Sequence, residues 1–373
     1  MGDKEFMGYV ESKSVKADEE AVKIVILEAA SLLKAALAHY RLNNNELDEA
    51  KDLFKEVAEE LREIGDYENY LVAFSLALRA EAIKGSLVGE KFVDGFRQLY
   101  EEAFNKERFS MPTARYLSTA SGALGEYLVS LALTGDHETI NKLLEEHLWV
   151  LNANKNFSVL TRLMLNALLS PRVGLSSELE GKLSVNPEEL IDAFGYGMLR
   201  KYLPALRVAF KMISPEDGYG ECKLIKDSMK RRDCRGAVLA AADDSDAVWW
   251  LRWKLINYFN EEILENERSG WLRELGFDAN AMISEFGKLV YGLDGKSLVQ
   301  LIAIDSSMAR LALILHALIN GNKELAKAHA LKGAIYYSSK LLGRLFLKAY
   351  RACCDLGKDE FRLALARLFF LHI

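Results

Sequence analysis

The 373-residue sequence predicts an all-α protein: stacked antiparallel helical hairpins, an α-solenoid or α-α superhelix. Three observations predict it. Apolar residues recur at steps of three and four over long segments, the period of an amphipathic helix. Proline, the strongest interior helix breaker, stands only at Pro112, Pro171, Pro187, Pro204 and Pro215. Short turns of Gly, Asn or Asp repeatedly separate helical stretches, and no period-two alternation is long enough to support a sheet.

The first hairpin is the clearest. Val22, Val25, Ile26, Ala29, Leu33, Ala36, Leu37 and Tyr40 trace one apolar stripe that stops at Asn43-Asn44-Asn45. Residues 45–65 then form an amphipathic helix with Leu47, Ala50, Leu53, Phe54, Val57, Ala58, Leu61 and Ile64 on one side and acids and lysines on the other. Asn45 is its expected N-cap and Gly65 the residue just past its end. The same order returns as 70–84 and 92–105 joined at Gly85-Ser86, and as 114–133 and 138–151 joined at Gly135-Asp136. Near the C-terminus, 308–319 turns at Asn320-Gly321-Asn322 into 324–342, and 345–355 turns at Leu356-Gly357-Lys358 into 360–371. Between Ser170 and Pro187 the chain is rich in Ser, Gly and Pro, so residues 1–170 are read as one helical array, 171–187 as a connecting segment and 188–373 as a second array. A shorter interruption covers 214–220.

The residues around these turns resemble the tetratricopeptide repeat family. Leu47-Asp48-Glu49-Ala50 followed by Phe54 is similar to the start of the family's second helix, with Ala36 and Tyr40 near the small and aromatic positions of its first. The segment Asn320-Gly321-Asn322-Lys323-Glu324-Leu325-Ala326 looks like a second example. The first match carries an extra turn residue, the second lacks the aromatic after Ala326, and no strict period runs through the chain; about a quarter of it matches. The resemblance implies a curved stack with a concave binding surface, and it brings no catalytic residues.

Half of the residues are hydrophobic and the mean hydropathy is −0.02, which fits a folded chain with a large core. The longest apolar stretch, 311–319, falls far short of the roughly 20 residues that span a bilayer, and the charged N-terminus lacks a secretory signal core. A cytoplasmic location is expected, with the four cysteines as free, buried thiols. A net charge of −6 does not favour nucleic acid or anionic lipid over the whole surface. Glutamine is confined to Gln98 and Gln300 while Glu, Lys and Arg abound, a bias associated with thermophile proteins.

Four segments bear on chemistry. GLDGKS at 292–297 ends like a phosphate-binding loop, but Val290 stands where the first glycine is required and no strand precedes it, so a turn and helix start are expected. Asp243, Asp244 and Asp246 resemble the acidic clusters with which all-helical isoprenoid enzymes hold magnesium; at a helix start, capping is the preferred reading. In the basic run 226–235, Lys230, Arg231, Arg232 and Arg235 are candidate phosphate contacts, with Trp249, Trp250 and Trp253 nearby to stack on bases. The alternative is a solvated helix end with its tryptophans in the core. The six histidines and four cysteines show no metal-ligand spacing and no nucleophile arrangement. The apolar end, 367–373, is expected to pack within the chain, with a homodimer through that end as the alternative.

These readings rank three functions. The first is a non-enzymatic helical-repeat adaptor or scaffold that binds a protein or peptide, with no catalytic residue, cofactor or metal site. The second is a nucleic-acid-associated protein using 226–235, and the third an all-α enzyme with an acidic metal site. An adaptor is expected to show an exposed groove and no cluster of buried titratable groups. The nucleic-acid reading needs Arg231 and Arg232 exposed beside an accessible aromatic. The enzyme reading needs carboxylates converging in a deep pocket.

Overall fold

The turns at Asn45, Gly65, Gly135 and Gly321 share one structural form, whereas Gly85 ends its helix in extended backbone. The structure is a computed structural model describing residues 19–85, 89–109, 112–169, 177–268, 276, 278–336 and 339–373. Its helices are α1 (Glu19–Asn43), α2 (Leu47–Glu63), α3 (Tyr67–Lys84), α4 (Glu90–Ala103), α5 (Lys106–Phe109), α6 (Ala114–Thr134), α7 (His137–Leu151) and α8 (Lys155–Leu169). There follow α9 (Ser177–Leu183), α10 (Pro187–Phe194), α11 (Leu203–Ala209), α12 (Pro215–Cys222), α13 (Ser228–Ala241), α14 (Ser245–Arg268), α15 (Ala279–Gly292) and α16 (Gly295–Ile302). The last four are α17 (Ser307–Ile319), α18 (Lys323–Tyr336), α19 (Lys340–Ala352) and α20 (Asp359–His372). Among the described residues the protein is all-α, with one isolated bridge between Met198 and Ile304.

At six turns a left-handed residue ends one helix: Asn45, Gly65, Gly135, Lys211, Asp243 and Gly321. The next residue donates its N–H to the carbonyl five positions back, as Asp66 does to Leu61, Asp136 to Leu131, Asp244 to Leu239 and Asn322 to Ala317. In those four cases the same residue's side chain then accepts an N–H three positions on and starts the following helix. Asn45 therefore supplies the left-handed bend and does not cap; Glu46 stands at the cap position with no side-chain bond to the helix N-terminus, its carboxylate accepting from Arg41 instead.

This settles the acidic cluster geometrically. Asp243 occupies the position of Gly135 and Asp244 that of Asp136, while Asp246 is exposed in the first turn of α14. Asp243→Gly should stabilise the protein by about 0.5–1 kcal/mol, because glycine adopts the left-handed conformation freely, and Asp244→Ala should cost about 1 kcal/mol. Thermal unfolding without and with magnesium checks this; a magnesium-dependent rise in Tm that both substitutions abolish would restore the metal reading.

The helices pack in sequence order, then close back. α1 to α4 pack successively, α6 covers α4, α7 and α8, and α17 to α20 form two further hairpins. In a solenoid each unit touches only its neighbours. Here α17 lies on α8, α19 touches α1, and α20 packs on α3 and α8. Phe370 stacks on Phe96 at 5.0 Å, Arg367 donates to the carbonyls of Ile83 and Gly85, and Arg362 to that of Leu168. The two arrays thus share one core, because the last helix spends its apolar side chains between the early ones. Phe369, Phe370 and Ile373 are buried inside the chain, the arrangement preferred for this end, and are not available to a second copy.

Other expectations need correction. The connecting segment 171–187 is not all loop: beyond 170–176, which lie outside the described residues, α9 buries Leu179 and Leu183, and α10 starts at Pro187. The expected helix 324–342 is two helices, because Ser339 caps α19 by accepting from the Leu342 N–H. The cysteines are not free. The short loop after α12 folds it onto α13 and brings the Cα atoms of Cys222 and Cys234 to 5.7 Å, where they are bonded; Cys353 is bonded to Cys354. No helix among the described residues is long and apolar enough to cross a membrane.

α1 packs on α2 along a partly polar side. It meets α2 through Ser31, which donates to Glu60 at 2.7 Å, through Lys34, paired with Glu56 and Glu60, and through buried Ala38 and Leu42. Of the apolar stripe read on this helix, Ile26, Ala29, Leu33, Ala36, Leu37 and Tyr40 face outward.

Candidate functional site

The basic run lies on α13 and the loop before it, and the tryptophans lie on α14, its antiparallel partner. Asp227 accepts the Lys230 N–H and starts α13, and Asp244 starts α14. Two contacts set the register between them. Lys254 on α14 bonds Asp233 on α13, and the ring of Trp250 lies so close over Gly236 that a Cβ there would sit 2.7 Å from it. Residues 229–236 therefore run alongside 250–257.

Part of the positive charge in this region is already engaged. Arg231 donates to the carbonyl of Ile225 at 3.1 Å and is half-buried. Arg235 lies 4.9 Å over the ring of Tyr219. Asp233 binds Lys201 at 2.9 Å as well as Lys254, and Lys254 also lies over Trp250. Burial pushes the Asp233 carboxyl up, but hydrogen bonds from Lys254 and Lys201 outweigh it and hold it below the ordinary carboxylate value. Of the four candidates, Lys230 and Arg232 are exposed and Arg231 and Arg235 serve the fold.

The tryptophans divide differently. Trp250 is half-buried against α13, whereas Trp249 is 62% and Trp253 54% exposed. Four residues apart on a helix, these two indoles stand on the same side of α14. Leu264 further along α14, and Met229 and Leu239 on α13, are also exposed. The expectation of core tryptophans is thus met by Trp250 alone. Large aromatics are rarely left in water in pairs unless they anchor a contact, and tryptophan is the residue most enriched at the energetic centres of interfaces.

Comparison of the chain with protein-family models, curated proteins and solved structures finds no match. The site therefore rests on geometry alone.

Two clusters of buried charged groups lie elsewhere, contrary to the expectation that an adaptor has no cluster of buried titratable groups. Glu126 on α6 is fully buried, accepts the Ser75 hydroxyl at 3.0 Å and is bonded by the Arg79 guanidinium. Burial pushes its carboxyl up, against the attraction of Arg79 and the Ser75 bond. The adjoining cavity, lined by Ser75, Arg79, Ser118, Gly122 and Phe157, measures about 220 Å³, below the range of pockets that hold drug-sized ligands. The second group joins α14, α17 and α18: Arg310, fully buried, bonds His329 at 3.3 Å and the carbonyl of Ile304, with Lys332 and Glu262 alongside. Burial, then Arg310 and Lys332, hold His329 well below its ordinary value, so it is neutral.

Burial lowers Lys332 from 10.5 to about 8. Folded, it binds fewer protons than the unfolded chain between these values, so this group's contribution to stability rises with pH across them, by up to about 3 kcal/mol. Urea unfolding at pH 8 to 10.5 should show that rise in the wild type and a flatter curve in Lys332→Met. Among the described residues no three His, Cys, Asp or Glu side chains are grouped to hold a metal ion.

Proposed function

We propose that this chain is a non-catalytic protein-binding module whose docking face is the outer side of the α13–α14 hairpin, centred on Trp249 and Trp253. The carrying observation is that paired exposure on one rigid helix. Exposed Met229 and Leu239 widen the apolar face, and Lys230 and Arg232 supply a polar rim that suits an acidic or mixed partner surface. Support for a protein over a nucleic acid comes from the charge account. Two of four basic candidates, with Lys201 and Lys254, are held by partners within the chain, and the net charge is −6.

The nucleic-acid reading remains the second one, because the exposed indoles stand on the helix beside exposed Arg232. Intrinsic tryptophan fluorescence separates the two. Titration with single-stranded DNA and RNA oligonucleotides at low salt should leave the emission unchanged. Saturable quenching, lost in Arg232→Glu with Trp253→Ala, would replace the protein-binding reading with the nucleic-acid one.

A further inference from the structure

Among the described residues, the outward side of α1 carries more of the exposed large hydrophobic side chains than any other helix. Ile26 is 62%, Leu33 74%, Leu37 45% and Tyr40 62% exposed, with exposed Ala29 and Ala36 between them. The spacing 26–29–33–36–40 alternates three and four, the seam of a two-helix coiled coil. Between Ile24 and Tyr40 the charged or titratable side chains Glu28, Lys34 and His39 fall outside this seam by helical position. Lys34 and Ser31 are turned inward to Glu60, so the helix is held to its own chain by polar contacts and presents its apolar side to the exterior.

The area argues that this side is occupied. With flanking Val25 and Leu32, the exposed apolar surface reaches roughly 700 Å², above the few hundred Å² usual on a monomer and close to the ~800 Å² each partner gives to a standard interface. We infer that the occupant is a second copy of this chain, with α1 pairing antiparallel to α1 about a twofold axis at Leu33. The uncharged seam is complementary to itself, as an isologous interface requires. The antiparallel register sets Leu33 on Leu33 at the axis, Ile26 against Tyr40 and Ala29 against Leu37, whereas a parallel pair would set alanine on alanine at both 29 and 36. The inference rests on α1 alone and is independent of the α13–α14 face.

Sedimentation velocity of the full chain over roughly 1–100 μM tests it. A dimer is expected, and Leu33→Glu, which places two charges at the axis, should weaken it by at least ~100-fold with helicity unchanged, since Leu33 is already exposed. Leu224→Glu, on another exposed leucine, should leave the dimer intact. On mild oxidation, a mixture of Ile26→Cys and Tyr40→Cys chains should cross-link, and neither variant should cross-link to itself. A monomer at every concentration, a dimer indifferent to Leu33→Glu, or self-linking Ile26→Cys would each overturn the proposal. Binding of the monomer to anionic lipid vesicles would then assign the face to a membrane surface.

Discussion

Gly295→Ala should destabilise the protein by about 3 kcal/mol or more, among the largest effects of any one-carbon change in the chain. A Cβ at Gly295 would lie 1.8 Å from the carbonyl oxygen of Ala240 and 2.8 Å from its carbon, with Val248 Cγ2 at 3.1 Å. The obstructing atoms are backbone at the end of α13, so neither a rotamer nor a flexible side chain can yield. Asp294 accepts the Ser297 N–H and fixes the start of α16 at that point. The glycine of the GLDGKS segment therefore serves helix-on-helix approach, consistent with the turn and helix start expected there. Thermal unfolding should show a drop of roughly 4 °C or more. Gly287→Ala, in an open position on α15 with ordinary backbone angles, should be neutral or stabilising by up to about 1 kcal/mol. Equal effects at the two glycines would refute the close-approach account.

Arg79→Met should cost about 3–5 kcal/mol, because it leaves the fully buried Glu126 carboxylate without its charge partner and with only the Ser75 hydroxyl. The loss should depend on pH in a defined direction. Burial already raises the folded-state pKa of Glu126 above the ordinary 4.5, and removing Arg79 takes away the largest opposing influence. Below the unfolded value the carboxyl is protonated in both states and costs nothing. As pH rises above it the unfolded chain ionises more readily, so the variant loses stability progressively. Denaturant unfolding of Arg79→Met between pH 4.5 and 8 should show that fall, and Arg79→Met with Glu126→Leu should recover most of it. A pH-independent loss would mean that packing of the arginine stem, not its charge, is what matters.

Local grammar was legible in the sequence wherever one short turn decided it. Gly65-Asp66, Gly135-Asp136 and Gly321-Asn322 announce a left-handed residue and a cap, and the hairpins follow. The same turn was disguised at Asp243-Asp244, where an aspartate takes the glycine's place and reads as part of an acid cluster. Orientation was less legible. α1 is apolar over so much of its circumference that periodicity could not say which side meets α2, and the deciding residues, Ser31 and Lys34, are polar ones whose partner Glu60 lies on another helix. The return of α20 onto α3 and α8 is a long-range event that no local pattern encodes. For the candidate site, the sequence brought the basic run and the tryptophans into view. Which arginines are engaged depends on Ile225, Tyr219 and the helix register, and the exposure of Trp249 and Trp253 depends on Trp250 taking the place against Gly236.

The most direct test of the docking face is covalent labelling of tryptophan side chains, read by mass spectrometry, on the protein purified alone and within nuclease-treated extract of its native cells. A protein-binding face predicts that Trp249 and Trp253 react readily in the isolated chain, with Trp250 protected, and that both become shielded in extract whether or not nuclease is present. Equal labelling of Trp249 and Trp253 in the two settings, or shielding that nuclease removes, would contradict it.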